Sequence, residues 1–141
     1  MYCDSCILIK LLTPEVDSAF FERELRGHPL GSSELAWTEV SSALLAKERA
    51  GRILPEERQR AWKLFSSWVE DEILVLHPLT LVTLRKAVRQ LELCHPQVAL
   101  RTLDAIHLAS ADLAQEFPLC TTDDRMRQAA RVLQFPLFPT G

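Results

Sequence analysis

Five short segments, most of them apolar, alternate along the chain with longer segments in which apolar residues recur every three or four positions. The short segments predict β-strands at residues 1–4, 29–33, 73–76, 118–121 and 135–138. The longer segments predict helices from Ser5 onward and over residues 15–25, 33–51, 55–69, 79–94, 102–116 and 124–134. Strands that alternate with helices usually pair in parallel. We therefore expect an α/β fold, a three-layer α/β/α domain with a central, mostly parallel sheet of about five short strands.

Residues that begin or end helices support these boundaries. Pro14 suits the first position of the second helix, and Gly27 ends that helix. Ser33 and Thr102 are candidate N-caps of later helices. The length fits one compact domain over residues 1–141 and leaves no room for two independent cores.

Composition and charge are those of an ordinary folded protein. Hydrophobic residues make up 48% of the chain and charged residues 25%, which excludes a disordered chain. No apolar run reaches the roughly 18 residues of a spanning helix, so we expect a cytoplasmic location and no membrane partner. The net charge of −3 does not by itself indicate nucleic-acid binding. The candidates for a local basic rim are Lys10, Arg85, Lys86, Arg89, Arg101, Arg125 and Arg127.

Four acidic residues have local contexts that would bring them to one edge of the predicted sheet. Asp4 closes one predicted strand and Asp123 follows another, and open α/β sheets bind ligands at the carboxyl ends of their strands. Either aspartate could instead be the N-cap of the helix that follows it. Glu39 has no cation at helical spacing, so its carboxylate needs a partner from elsewhere. Asp104 could interact with its helix N-terminus or pair with Arg101.

Taken together, these acids predict a metal site. Four unscreened carboxylates would raise one another's pKa values, and a bound cation removes that repulsion. Ligation by oxygen alone favours Mg²⁺ or Mn²⁺ over Zn²⁺. The predicted catalytic residues are Asp4, Glu39, Asp104 and Asp123, of which Asp4, Asp104 and Asp123 would bind the metal, with Ser5 and Thr121 in support.

The cysteines leave one alternative of a different class. The chain has four cysteines, which are Cys3, Cys6, Cys94 and Cys120. They form a single C-x-x-C pair and no second pair at zinc spacing, so we expect neither structural zinc nor disulfides. The Cys3 and Cys6 pair could belong to a thiol oxidoreductase if a helix N-terminus lowered the pKa of Cys6. Glu39 and Asp104 would then have no explanation.

The segments that contain the acids resemble the PIN-domain ribonucleases, particularly the VapC-type toxins of toxin-antitoxin systems. Residues 1–11 are similar to the family's opening strand, aspartate, hydroxyl and apolar helix. Residues 37–44 resemble its glutamate helix, residues 103–109 its most recognisable motif, and residues 121–126 its last acidic motif. The resemblance covers nearly the whole chain, with four motifs in the family's order. Cys6 stands where the family commonly has Ser or Asn.

The resemblance implies a PIN fold and an endoribonuclease that hydrolyses RNA phosphodiester bonds with a metal-activated water. It further implies 5′-phosphate and 3′-hydroxyl products, one or two Mg²⁺ or Mn²⁺ ions, a homodimer, and a small antitoxin protein whose tail covers the acidic crevice. The T-x-D spacing of the last motif favours Asp123 over Asp124 as the functional acid. We expect His107 to be a packed structural residue and Asp112 to be a solvent-exposed acid.

Other functions stay open from the sequence alone. A stand-alone RNA-processing nuclease of the PIN fold would use the same acids, and a module that binds RNA or protein would use the fold without catalysis. A haloacid-dehalogenase-like phosphatase also has an aspartate after its first strand, but Cys6 occupies the position of its second aspartate. Ten apolar residues are either core or the lining of a groove for a partner helix: Ile7, Leu8, Leu11, Leu12, Phe20, Phe21, Leu45, Trp62, Phe65 and Trp68.

Overall fold

A computed structural model describes all 141 residues and contains one five-stranded sheet flanked by seven helices. The strands are β1 (Tyr2–Cys3), β2 (Leu30–Ser33), β3 (Leu74–His77), β4 (Leu119–Cys120) and β5 (Leu137–Phe138). The helices are α1 (Ser5–Leu12), α2 (Ser18–Leu25), α3 (Leu35–Arg49), α4 (Pro55–Glu70), α5 (Leu81–Cys94), α6 (Thr102–Ala114) and α7 (Asp124–Val132). No helix combines the length and the apolar character needed to cross a membrane.

The sheet has the strand order β3-β2-β1-β4-β5, and every neighbouring pair is parallel. This confirms the expected three-layer α/β/α architecture with a parallel sheet. The chain builds outward from β1 to β2 and β3 on one side, and later to β4 and β5 on the other side. The direction in which strands are added to the sheet therefore reverses between β1 and β4. A crevice forms there at the carboxyl ends of the two strands, where open α/β sheets bind ligands.

Successive residues of β1 face opposite layers because side chains alternate across a strand. Cys3 lies in the core that α1 to α4 form with one face of the sheet. Tyr2 lies in the core on the other face, where Leu108 of α6 and Met126 of α7 also lie. Each of these β1 side chains is fully buried. The short central strand thus joins both layers immediately before Asp4.

Helix α6 carries two of the polar residues singled out from the sequence into the interior. Every residue from Asp104 to Ala111 is buried, because α6 packs against α5 on one side and against the sheet on the other. A fully apolar helix would bury such a surface at lower cost. Polar side chains at Asp104 and His107 therefore need partners inside the protein.

The starts of α2 and α6 depart from the sequence prediction. The prediction that Pro14 occupies the first helical position is wrong, because α2 begins at Ser18. The Ser18 hydroxyl accepts a hydrogen bond from the Glu15 amide at 2.8 Å and donates to the Thr13 carbonyl at 3.1 Å, which closes a turn ahead of the helix. Thr102 is the first residue of α6 rather than its N-cap.

Gly27 ends α2 as predicted, whereas Glu34 rather than Ser33 is the N-cap of α3. Gly27 follows the end of α2 with φ at +79°, a conformation that glycine adopts without steric cost. Ser33 ends β2, and its hydroxyl accepts a hydrogen bond from the amide of Leu35, the first residue of α3, at 3.0 Å.

Candidate active site

Asp4 lies at the carboxyl end of β1 and is 4% exposed. Its Oδ1 accepts hydrogen bonds from the Ile7 amide at 3.2 Å and from the Cys6 thiol at 2.8 Å. Its Oδ2 accepts a hydrogen bond from the Thr121 hydroxyl. Asp4 is therefore the N-cap of α1, as one reading of the sequence proposed, but the cap uses only one carboxylate oxygen. The Cys6 thiol donates from the position where the PIN motif commonly has Ser or Asn.

Thr121 connects this aspartate to Asp123. The Thr121 hydroxyl is fully buried just beyond β4, and it accepts a hydrogen bond from the Asp123 amide at 3.0 Å. Asp123 Oδ1 accepts from the Met126 amide at 2.8 Å and so caps the N-terminus of α7. Both strand-terminal aspartates thus hold the start of a helix, where the helix dipole favours a negative charge.

Arg101 joins Asp123 to Asp104. Its Nε donates to Asp104 Oδ2 at 2.9 Å, and its Nη2 donates to Asp104 Oδ1 at 3.5 Å and to Asp123 Oδ2 at 3.2 Å. The pairing of Arg101 with Asp104 was considered from their spacing, whereas the contact with Asp123 joins residues that are 22 positions apart. One guanidinium thus neutralises two of the predicted metal ligands.

Glu39 is the fourth acid, and it is connected through Ser5, the residue after Asp4. The Ser5 hydroxyl donates to Glu39 Oε1 at 2.6 Å, and His107 Nε2 lies 2.5 Å from the same oxygen. These are the partners from elsewhere in the chain that the position of Glu39 on its helix required. Asp4, Asp123 and Asp104 therefore lie along one hydrogen-bonded path at the crevice between β1 and β4. Glu39 adjoins that path through Ser5, which follows Asp4 in the chain.

The carboxylates are close to one another but are not arranged as a ready ligand set. No group of three or more His, Cys, Asp or Glu side chains meets the geometry of a metal site. Internal donors account for this arrangement, since both oxygens of Asp4 and both oxygens of Asp123 accept hydrogen bonds. The donor set consists of carboxylate oxygens and buried hydroxyls, which suits a hard cation such as Mg²⁺ or Mn²⁺.

Burial and hydrogen bonding act differently on the two innermost acids. Burial raises the pKa of Asp4 above its ordinary value, and the hydrogen bonds from Cys6 and Thr121 only partly oppose it. Burial also acts to raise the pKa of Glu39, but the hydrogen bond and electrostatic interaction with His107, together with the Ser5 hydroxyl, lower it below its ordinary value. Glu39 is thus held ionised, whereas the charge on Asp4 is costly without a cation nearby.

The cysteines do not have the properties of a thiol redox pair. Burial and the neighbouring Asp4 charge raise the pKa of Cys6 to about 12, so its nucleophilic thiolate is scarce at neutral pH. Cys3 lies beside Cys120, and that contact together with burial raises the pKa of Cys3. All four cysteines are free. The geometry therefore argues against the oxidoreductase alternative.

The two acids that were left open from the sequence are not part of this hydrogen-bonded path. Asp112 pairs with Lys86 at 3.0 Å and accepts from Gln90 at 3.2 Å, so it joins α6 to α5. Asp124 is exposed in the first turn of α7, and no hydrogen bond ties it to the other acids.

Comparison with known proteins agrees with this arrangement. The family model described as PIN domain matches residues 1–132. The chain belongs to the PIN-domain family. It is 40% identical over 139 residues to a protein named Ribonuclease VapC46 from Mycobacterium tuberculosis strain ATCC 25618 / H37Rv, with 94% of this chain and 92% of the relative covered. It is 31% identical over 150 residues to Ribonuclease VapC35 of the same species, with 100% and 97% covered.

The residues predicted to form a basic rim around the acids of this PIN domain differ in what they contact. Arg101 and Arg125 line a polar cavity of about 580 Å³ beside Asp123. Arg127 donates to the Thr121 carbonyl at 2.9 Å and so supports the backbone at this edge. Lys10 pairs with Glu15 and Asp17, and Lys86 pairs with Asp112, so neither contributes to the rim.

Two members of the PIN-domain site were not identified as such from the sequence. His107 is buried, as expected, but it also contacts Glu39 directly. The Tyr2 hydroxyl lies 2.8 Å from His107 Nδ1. The only sequence signal for His107 is its position one helical turn after Asp104. Tyr2 gives none, because a tyrosine in a central strand is also an ordinary core residue.

Proposed function

We propose that this PIN domain, spanning residues 1–141, is a metal-dependent endoribonuclease and the toxin of a toxin-antitoxin pair. The observation that carries the proposal is the single hydrogen-bonded path that connects Asp4, Thr121, Asp123, Arg101 and Asp104 at the carboxyl edge of the sheet. Relatives that match over more than nine-tenths of the chain are named ribonucleases, which supports the reaction class.

The predicted metal ligands are Asp4, Asp104 and Asp123, and the bound ion would be Mg²⁺ or Mn²⁺ because only oxygen donors are offered. When bound, such an ion would lower the pKa of a water molecule and neutralise charge on the phosphate. The raised pKa of Asp4 is consistent with a carboxylate whose environment is completed by a cation. Binding would require Arg101 to release at least one of its two carboxylate partners.

The remaining residues would orient the reactants. Glu39 keeps Oε2 free of protein hydrogen bonds while Oε1 is anchored, so Oε2 can accept a hydrogen bond from water. Ser5 and Thr121 supply hydroxyls that hold Glu39 and Asp4 in place. Arg101 and Arg125 border the cavity beside Asp123 and can pair with the phosphates of an RNA strand, which compensates locally for a net charge of −3.

The test is cleavage of RNA by wild type and by Asp4→Asn and Asp104→Asn variants in Mg²⁺ or Mn²⁺. We expect the wild type to cut RNA internally and to stop when the metal is chelated. Each variant should lose about two orders of magnitude or more in rate, since each removes charge that stabilises the transition state. Circular dichroism would show that the variants are folded. Folded variants that cut as fast as wild type would contradict the proposal.

The proposed partners are an RNA substrate, a second copy of the chain and an antitoxin protein. An apolar cleft of about 410 Å³ offers a surface for a partner, with Leu8, Leu11 and Trp68 among its lining residues. These three belong to the apolar residues that the sequence predicted as core or groove, and Leu11 and Trp68 are only partly buried. Co-expression with the adjacent small open reading frame and affinity purification would test the antitoxin. Repeated failure to recover a complex would favour a stand-alone nuclease.

A further inference from the structure

Glu39 is held through only one of its two carboxylate oxygens. Both Ser5 Oγ and His107 Nε2 contact Oε1, at 2.6 Å and 2.5 Å, while Oε2 has no hydrogen-bond partner in the protein. The side chain is 21% exposed, so the free oxygen is accessible to water. Two donors on the same oxygen fix the plane of the carboxylate more firmly than one would, because they restrict rotation of the group.

His107 is in turn held from behind by Tyr2. The Tyr2 hydroxyl lies 2.8 Å from His107 Nδ1, and the two rings pack edge to face with centroids 5.9 Å apart. Tyr2 is fully buried in β1, and its other face stacks on His77 with centroids 6.3 Å apart. The phenol therefore has little freedom to leave the imidazole.

These contacts favour hydrogen on Nε2 of His107. An ionised carboxylate only accepts hydrogen bonds, so Nε2 must be the donor to Glu39. The Tyr2 hydroxyl can donate to Nδ1, and an imidazole that accepts at Nδ1 and donates at Nε2 satisfies both of its partners. The hydrogen bonds thus run in one direction, from Tyr2 through His107 to Glu39.

Packing alone does not explain this pair. A leucine would fill the space of His107 without polar atoms, and burying polar atoms stabilises a core only when their hydrogen bonds are satisfied. Here the buried hydrogen bonds end on an acid at the crevice rather than on the backbone of the core.

We propose that Tyr2 and His107 are positioning residues of this site, which act by fixing Glu39 through Oε1 and leaving Oε2 available to the reaction. This inference rests on the proposed function and assigns roles to two residues that the function does not otherwise use. It predicts that removing a single hydroxyl from the buried Tyr2 slows cleavage, although that hydroxyl touches none of the predicted metal ligands.

Four variants separate positioning from packing. Tyr2→Phe removes the phenol hydroxyl and keeps the ring. His107→Leu keeps a similar volume and removes the donor, whereas His107→Gln retains an amide N–H near the position of Nε2. Thr13→Val is the matched control, because it also removes one buried hydroxyl, which donates to the Ile9 carbonyl at 3.0 Å at the other end of α1.

The kinetic substrate is a mixed-sequence RNA oligonucleotide with a fluorophore and a quencher, cut by the full chain in Mn²⁺. We expect kcat to fall about tenfold in Tyr2→Phe and about 10- to 100-fold in His107→Leu, the range found when partners of active-site ligands are removed. KM should stay within about twofold, since neither residue is proposed to touch RNA. His107→Gln should be about tenfold faster than His107→Leu, and Thr13→Val should match wild type.

A second measurement does not depend on activity. Nitrogen-15 NMR of the metal-free wild type should show hydrogen on Nε2 of His107, and Tyr2→Phe should reduce that preference. Hydrogen on Nδ1 alone in the wild type would overturn the inference. So would a kcat for Tyr2→Phe and His107→Leu no lower than that of Thr13→Val, or equal rates for His107→Gln and His107→Leu.

The Asp4→Asn variant distinguishes failure of this inference from failure of the proposed function. If Asp4→Asn is inactive while Tyr2→Phe and His107→Leu cut normally, the nuclease proposal stands and the positioning role is wrong. If Asp4→Asn cuts RNA as fast as wild type, or the wild type does not cut at all, the nuclease proposal fails and the positioning role is overturned with it.

Discussion

Asp4→Asn should stabilise the metal-free protein at neutral pH while it removes RNA cleavage. The carboxylate of Asp4 is almost fully buried, and burial raises its pKa despite the hydrogen bonds it accepts. Asparagine has nearly the same shape, and its carbonyl oxygen can still accept from the Ile7 amide and the Cys6 thiol. Only the hydrogen bond with Thr121 must reverse its direction. The variant therefore loses the cost of a buried charge and little packing.

The expected gain in the free energy of unfolding is modest but measurable. Each unit by which a pKa is raised in the folded state corresponds to about 1.4 kcal/mol of lost stability when the group is ionised. The altered hydrogen bond with Thr121 offsets part of the gain, since a hydrogen bond contributes about 1 kcal/mol. A net stabilisation on the order of 1 kcal/mol would raise the thermal midpoint by roughly 3 °C in a domain of this size.

The pH dependence has a definite sign. Because the pKa of Asp4 is higher in the folded than in the unfolded state, the folded protein binds the proton more tightly. The cost of the charge is absent below the unfolded value of about 4 and develops as pH rises through the folded pKa. The stability difference between Asp4→Asn and wild type should therefore be largest at neutral pH and should shrink as pH falls.

Thermal melts between acidic and neutral pH, recorded once in a chelator and once in Mn²⁺ without chelator, measure these quantities. Metal should raise the midpoint of wild type and should have little effect on Asp4→Asn, because binding to the folded state alone is stabilising. Asp112→Asn is the matched control, since this acid pairs with Lys86 between α5 and α6, and it should keep both cleavage and the metal response. An Asp4→Asn variant that melts below wild type in chelator at neutral pH would refute the reasoning.

Three further predictions test neighbouring features. Arg101→Gln should tighten Mn²⁺ binding by about two- to fivefold in calorimetry, because the guanidinium no longer competes with the metal for Asp104 and Asp123. Weaker binding would show that Arg101 supports the site instead. Gly31→Ala should cost about 1 kcal/mol in chemical denaturation, since a Cβ there would lie 1.7 Å from Glu116 Oε1 and displace it from His77; unchanged stability would contradict this. Cys6 should resist iodoacetamide at pH 8 in mass spectrometry, since a pKa of about 12 leaves on the order of 10⁻⁴ as thiolate, and rapid alkylation would show the thiol to be more acidic.

The fold was largely predictable because its signals are local. Short apolar strands that alternate with amphipathic helices require parallel pairing, and the five strands and seven helices lie close to the predicted segments. The main error was at Pro14, where a proline that could begin a helix precedes a turn held by Ser18. A hydroxyl that bonds backbone groups on both sides of a turn competes with helix formation, and the sequence alone does not reveal which one prevails.

The candidate site was predictable only in part. Asp4 and Asp123 could be placed because strand ends of a parallel sheet share one edge, and Glu39 because its own helix offered no partner. Their metal-binding and catalytic roles stay predictions. The alternative reading of each strand-terminal aspartate as an N-cap also holds, since one oxygen caps a helix while the other accepts from Thr121 or Arg101.

The sequence by itself determined the order of elements, the parallel sheet and the four acidic motifs, because periodicity and strand ends are properties of neighbouring residues. Only the tertiary structure decided which side chains neutralise and orient those acids. Arg101 reaches Asp123 across 22 residues, and Tyr2 reaches His107 across 105. Contacts of that separation depend on the strand order and on how α6 lies on the sheet, and no local pattern encodes either.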